Sequence, residues 1–383
     1  MITAIVTIIM FLVMVSLHEF GHYIVARLLD FKILEYAIGF GPAIFKSKKT
    51  EIQYSIRCIP LGGYCKFEGE DSASDDPRAF NNQPVWKRIL VVMAGGIFNI
   101  ILGFLLFLVI VPVTSPILTN TVNEVVPHSY IEQAGILPGD KIVEINGHNI
   151  NFYNDITLYT QEFAKDKSAN IVVKRNNEKH SFDIFPTEQI IKQKYTDKGI
   201  EYTDIINGNS TTEFIEYSDE IKADAEKTGK EYTTTRYIIG FSPKQEDVTF
   251  FNVWGEAWNQ TRFVVKLVYT SLWDMITGEV GMEQMSGPVG IVNEVNTAVN
   301  SGSKSWLYVL NLIALLTINL GVFNLLPFPA LDGGRLFFMI VELIRRKPIP
   351  PEKEGTVHAI GMLLLLLLVV VISFNDIMRL IGK

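Results

Sequence analysis

The 383-residue sequence has only two cysteines, Cys58 and Cys65. They are not spaced C-x-x-C, and there is no third or fourth thiol to complete a thiolate zinc site. A multi-disulfide scaffold is excluded on the same count, and the two read as free thiols in a reducing compartment. Excess positive charge is missing as well. The formal net charge is −7, which argues against nucleic acid as a partner. Residues Ile2 to Leu17 carry no charge at all. No basic segment precedes this run and no small-x-small cleavage site follows it, so it reads as a retained membrane span rather than a leader. No internal repeat relates the two halves, which a transporter built on broken helices would show.

What is abundant is apolar sequence. Hydrophobic residues make up 48% of the chain, and the mean hydropathy is +0.23. They are clustered in four segments: Ile2 to about Leu29, Ile89 to Val111, Trp306 to Leu326 and Val357 to Phe374. Each is long enough to cross roughly 30 Å of hydrocarbon. The loop between the first two holds Arg27, Lys32, Lys46, Lys48, Lys49, Arg57, Lys66, Arg78, Lys87 and Arg88. The connection between the last two holds Arg335, Arg345, Arg346, Lys347 and Lys353. The positive-inside rule makes both cytoplasmic. The acidic stretch from Pro112 to Ser305 and both termini then fall outside.

Inside the first span lies His18-Glu19-Phe20-Gly21-His22, an H-E-x-x-H. Positions i and i+4 share a helix face, so both imidazoles can meet one metal, with Glu19 placed to reach water beside it. Three ionisable groups in a lipid-spanning stretch are costly without a partner, and a metal supplies one. At about 1.5 Å per residue, His18 lies about 24 Å from the outer end of its helix, in the inner leaflet. A third ligand is expected from another segment at that depth. Asn324-Leu325-Leu326-Pro327-Phe328-Pro329-Ala330-Leu331-Asp332-Gly333-Gly334 ends the third span there. Catalytic zinc takes three protein ligands and keeps an open position, so Asp332 is the candidate. The plain alternative is a helix-ending turn with Asp332 as a cap.

The pair HEFGH and NLLPFPALDGG resembles the site-2 protease family of intramembrane zinc metalloproteases, in its bacterial regulator-of-sigma-E protease branch. The similarity extends over nearly the whole chain, through Ala94-Gly95-Gly96-Ile97-Phe98-Asn99 and Ser286-Gly287-Pro288-Val289-Gly290-Ile291. The resemblance implies Zn2+ held by His18, His22 and Asp332, with Glu19 as general base and acid. It implies substrate-binding roles for Asn324 and Asn99. It also implies that the loop Ile33 to Glu70, whose Glu35–Phe40 and Ile52–Arg57 segments alternate like strands, forms a sheet that presents substrate. The alternative there is a cytoplasmic hairpin with no catalytic part. Substrates would be transmembrane segments of single-pass proteins, typically anti-sigma factors shortened by another protease, and remnant signal peptides. A helical substrate must unwind to be cut, and a strand edge could hold the unwound segment by backbone pairing.

Ala134-Gly135-Ile136-Leu137-Pro138-Gly139-Asp140-Lys141-Ile142-Val143-Glu144-Ile145-Asn146-Gly147 resembles the core of PDZ domains. No Gly-Leu-Gly-Phe type carboxylate loop is present, so the module is either a peptide-capturing groove or a filter admitting shortened substrates. The branch's name-giving protease carries two such modules; one is found here.

The expected fold class is a polytopic α-helical membrane protein of about four transmembrane helices. It carries an inserted extracytoplasmic PDZ (α+β) domain and a small membrane-associated β-sheet after the first helix. The expected boundaries are 1–29 (first span), 30–88 (basic loop), 89–111 (second span) and 117–186 (PDZ). They continue with 187–240 (polar insertion with a loop at Asn207–Thr212), 241–305 (interfacial helical region), 306–335 (third span), 336–356 (connection) and 357–380 (fourth span). The resemblance places the chain in the bacterial cytoplasmic membrane, active site toward the cytoplasmic leaflet, with the lipid bilayer and membrane-protein substrates as partners. A non-enzymatic scaffold binding membrane peptides is the rival; it has no use for Glu19.

Overall fold

The computed structural model describes residues 2–48, 51–70, 74–114, 116–160, 168–196, 198–216, 230–278, 287–302, 304–347 and 349–381. Two compact units result. One joins Met1–Val113 to Phe250–Lys383, and the other is Thr114–Thr249.

Helix α1 (Ile2–Leu28) is the uncharged run carried on through the H-E-x-x-H. In hydrocarbon a span must satisfy its backbone groups internally, and a helix does so. It ends at Asp30, whose φ of +62° turns the chain so that the Phe31 N–H returns to the Ala26 carbonyl. Strands β1 (Ile33–Ser47) and β2 (Gln53–Phe67) follow, paired antiparallel with repeated register shifts. Tyr36, Ala37 and Ile38 each have two partners: Cys65, Tyr64 and Gly63 on one side, Tyr54, Ser55 and Ile56 on the other. Ala43, Phe45 and Lys46 pair in turn with Arg57, Ile56 and Ser55. Two bent strands thus make a sheet four segments wide. The bends need left-handed backbone, and Gly39, Gly41 and Gly62 supply it at φ +86°, +82° and +91°. Helix α2 (Val85–Ile110) begins after Pro84. Tyr23, Phe31, Phe67, Phe80, Val91, Val92 and Met339 form one apolar cluster around this region.

The second unit contains β3 (Ile117–Val125), α3 (Tyr130–Gln133), β4 (Lys141–Ile145), β5 (His148–Asn149), α4 (Tyr153–Thr160), β6 (Ala169–Arg175) and β7 (Glu178–Ile184). After them come β8 (Thr187–Tyr195), β9 (Gly199–Ile206), β10 (Asn209–Glu216), β11 (Glu231–Ile238) and β12 (Phe241–Glu246). One sheet has the order β12-β3-β4-β6-β7, with β5 on β4; the other has the order β10-β9-β8-β11. Val122, Ile131, Ile142, Ile145, Ile171, Val173 and Ile239 form the core of the sheet that contains β3, β4 and β6. Asn146-Gly147 and Asn207-Gly208 take positive φ as tight hairpin turns do.

This corrects two sequence boundaries. The first sheet does not close at residue 186, because β12 returns to pair with β3. The polar stretch 187–240 builds a four-stranded sheet among its described residues, with Asn209–Thr212 in a strand rather than a loop. Residues 217–229 lie outside the described residues.

The first unit resumes with α5 (Phe250–Thr277), α6 (Pro288–Val299), α7 (Ser305–Leu325), α8 (Asp332–Arg345) and α9 (Pro351–Leu380). The stretch 336–356, expected as a plain connection, is mostly helix. Arg335 and Arg88 form ion pairs with Glu70 and Glu342, and Met339 is buried on α8's inner face. Ser286 of the SGPVGI motif lies outside the described residues. Helix α6 has a glycine, Gly287, at its N-cap position. Its start is satisfied instead by Asp376 of α9, whose Oδ2 accepts from the N–H groups of Gly287 (2.9 Å) and Gly290 (2.8 Å). Among the described residues four helices are long and apolar enough to cross a membrane: Ile2–Leu28, Val85–Ile110, Ser305–Leu325 and Lys353–Arg379.

Candidate metal centre

The helical spacing of α1 turns His18 and His22 toward α2, where both are buried. They fit because residue 95 is glycine. A Cβ at Gly95 would clash with His22 Nε2 and lie 2.7 Å from His18 Cε1. Helix α2 also orients the rings. The Val91 carbonyl accepts from His22 Nδ1–H at 2.9 Å, which leaves Nε2 unprotonated and available to a metal. Asn99 is fully buried with its amide 3.4 Å from His18 Nδ1, and its Oδ1 has no partner. Turning the amide over presents Oδ1 to Nδ1–H and bares the Nε2 of His18 in the same way.

The third group arrives from the broken end of α7. Pro327 and Pro329 cannot continue a helix, and Ala330 takes φ +76°. The chain then restarts as α8 with Asp332 as its first residue. Asp332 Oδ2 is 3.1 Å from His18 Nε2 and 3.1 Å from His22 Nε2, and the two nitrogens are 3.2 Å apart. Oδ2 makes no well-angled hydrogen bond despite its burial. Three lone-pair atoms therefore converge on a common point rather than pair with one another. Ligands at about 2.0 Å around a tetrahedral zinc stand about 3.3 Å apart, so the triangle fits that ion.

Glu19 stands beside this set and outside it. Its carboxylate faces the backbone N–H of Cys65, and a Cβ at Gly63 would lie 3.2 Å from its Cγ. The Gly63–Phe67 segment of β2 thus borders the site, paired among the described residues with β1 on one side only. Outside the spans, burial pushes the Cys65 thiol up, with Glu19 and Glu70 adding to the effect. That keeps it protonated and unsuited to bind metal.

The structure thus brings together His18, Glu19, His22, Asp332 and Asn99. Asn99 was expected among the substrate-binding residues. It is completely buried, with its amide beside the His18 ring. Asn324 is buried in the last turn of α7, and among the described residues no hydrogen bond joins it to His18, His22 or Asp332. Sequence reasoning named Gly95 within a motif without a role, expected a substrate-presenting sheet in Ile33–Glu70 without singling out Gly63–Cys65, and passed over the Val91 carbonyl. The Gly-Gly pair at 95–96 was the available sign of a close helix approach.

Residues 6–368 match the sequence profile of Peptidase family M50. The chain belongs to peptidase family M50. A relative in Clostridium acetobutylicum is 34% identical over 374 residues, covering 97% of this chain and 96% of its own. The zinc metalloprotease RasP of Oceanobacillus iheyensis is 29% identical, over 99% of this chain and all of its own. The regulator of sigma-W protease RasP of Bacillus subtilis is 28% identical over 99% of both chains. This M50 chain is therefore a metalloprotease of the site-2 type, a membrane protein, and zinc is its metal.

Proposed function

We propose that this M50 peptidase cuts transmembrane segments of single-pass proteins at the level of the inner leaflet, in regulated intramembrane proteolysis. The observation that carries the reading is the convergence of His18, His22 and Asp332 beside Glu19, the first two and Glu19 on the apolar helix α1 and Asp332 on the chain that follows the apolar helix α7. In this reading those three residues hold zinc. Bound zinc supplies Lewis-acid polarisation of the scissile carbonyl and acidifies water. Glu19 takes the proton from the attacking water and delivers it to the leaving amine. Val91 and Asn99 fix the imidazole orientations. Asn324 contributes to holding the substrate backbone.

The unwound substrate lies along Gly63–Phe67 as an added strand. Backbone pairing of that kind asks little of side chains and keeps peptide groups satisfied. Broken backbone at Leu326–Leu331 is tolerated at membrane depth where it lines a protein cavity. The name of the Bacillus subtilis relative, regulator of sigma-W protease, supports anti-sigma-type substrates; remnant signal peptides are chemically equivalent. The basic loops support a bacterial cytoplasmic membrane location with 114–249 outside. That unit is read as a PDZ-like module with a sheet inserted between β7 and β12. It acts either as a filter for shortened substrates or as a groove for a peptide strand.

The test is cleavage of a tagged single-span substrate by purified protein in detergent, with zinc assayed in parallel. Wild type should cut. Glu19→Gln should keep zinc and not cut, and Asp332→Ala should lose zinc. Equal zinc content and no cleavage in all three would sink the enzymatic roles assigned here.

A further inference from the structure

Helix α9 is the most exposed of the four candidate spans, with Leu363, Leu364, Leu366, Leu367 and Val370 open along its length. Its composition suits a lipid anchor. Its first turns make specific polar and close contacts. His358 Nδ1 accepts a hydrogen bond from the Ala330 N–H at 3.0 Å. A Cβ at Gly361 would come 2.9 Å from the carbonyl carbon of Pro329, so the helix lies directly on the Pro329–Ala330 peptide. A Cβ at Gly334 would lie 3.1 Å from His358 Cε1, and the Phe338 ring is 5.9 Å from the imidazole.

The residue gripped in this way is unusual. Ala330 has φ +76°, the left-handed region that L-residues other than glycine, asparagine and aspartate seldom adopt. It stands two residues before Asp332, on the unwound chain between α7 and α8. That unwound chain has no helical carbonyl to receive the Ala330 N–H, and at membrane depth an unmet N–H is costly. The imidazole meets it and holds the strained peptide. Rotation at Ala330 would swing the start of α8, and Asp332 with it, off the point where it faces His18 and His22.

We propose that His358 is a positioning residue for Asp332: through the Ala330 N–H, helix α9 sets the third corner of the metal triangle. This rests on the reading of Asp332 as a zinc ligand. The role requires an acceptor at Nδ1, and asparagine Oδ1 occupies nearly the same place on its side chain. It also requires the left-handed turn, which glycine adopts without strain.

The experiment uses the full chain in detergent and reads zinc affinity by chelator competition, together with the visible spectrum of the cobalt-loaded protein. His358→Leu should weaken zinc about 10- to 100-fold, the range for loss of groups that orient ligands, and should shift the cobalt bands. His358→Asn should stay close to wild type, and Ala330→Gly should restore affinity in the His358→Leu background. A leucine variant that binds zinc like wild type, or an asparagine variant as weak as leucine, overturns the proposal. A wild type that binds no zinc overturns this proposal together with the ligand assignment; a wild type that binds while His358→Leu matches it overturns only the positioning role.

Discussion

Replacing Gly95 with alanine adds one methyl group against the His18 and His22 rings. The new Cβ would stand 2.7 Å from His18 Cε1 and 2.7 Å from His22 Cε1. Ordinary carbon contacts lie at about 3.5–4.0 Å, so the rings or the two helices must separate by about 0.8 Å or more. The rings cannot simply rotate, because His22 is tied to the Val91 carbonyl. Parting the helices would open gaps along a close seam, since a Cβ at Gly21 of α1 would lie only 2.6 Å from the Ala94 carbonyl oxygen. Zinc–ligand distances tolerate about 0.2 Å, and a misplacement of about 1 Å at a reacting centre costs about 100-fold. Gly95→Ala should therefore bind zinc about 10- to 100-fold more weakly and cut at least about 100-fold more slowly, by chelator competition and the tagged-substrate assay. Gly103→Ala is the control. It adds the same methyl to the same helix, 2.6 Å from Ile318 Cδ1 and two turns from the site. Overpacking there should cost about 1–3 kcal/mol of stability and leave zinc binding intact. Normal zinc affinity in Gly95→Ala, or equal zinc loss in Gly103→Ala, would refute the reasoning.

Glu19→Gln should lower the cleavage rate about 100- to 10,000-fold while zinc stoichiometry is unchanged, the signature of a lost acid–base group. In the sheet, burial works to raise the Glu35 pKa, and hydrogen bonds from Ser55, Arg57, Tyr64 and Gln53 outweigh it, bringing it down to about 2. Its contribution to stability is thus complete above the unfolded carboxylate range near about 4.3 and disappears as pH falls through about 2. Melting temperature measured from pH 6 to pH 2 should fall less steeply in Glu35→Gln than in wild type; parallel slopes would deny the shift. Asp376→Leu strands the Gly287 and Gly290 N–H groups and should cost about 1.5–3 kcal/mol in thermal denaturation, with Asp376→Asn costing less.

The four long apolar helices and the convergence of His18, His22 and Asp332 were legible because each depends on local pattern. Apolar length marks the helices, i and i+4 spacing aligns His18 with His22, and the Pro and Gly residues around Asp332 announce a broken helix. Other features depend on distant pairings that one stretch of sequence cannot display. Strand β12 joins β3 across more than a hundred residues, and nothing within Phe241–Glu246 names its partner. Strands β8 to β11 were invisible for a different reason. Glu188, Lys192, Gln193 and Thr233 to Thr235 put polar groups on both faces, so the alternation that reveals a half-buried strand is absent. Gly95 matters only because α1 crosses α2 at that level. His358 matters only because α9 folds back on the Pro329–Ala330 peptide.

The cap on α6 also imposes an order on the making of the protein. Gly287 is synthesised 89 residues before the carboxylate that completes its helix start. While α7 and α8 are being made, the N–H groups of Gly287 and Gly290 must rely on other acceptors. They receive their permanent acceptor only when residue 376 has been made and α9 has packed on α6. Helix α9 thus closes a structure begun much earlier, and a chain stopped short of it would carry His18, His22 and Asp332 and still lack the acceptor on which α6 is seated.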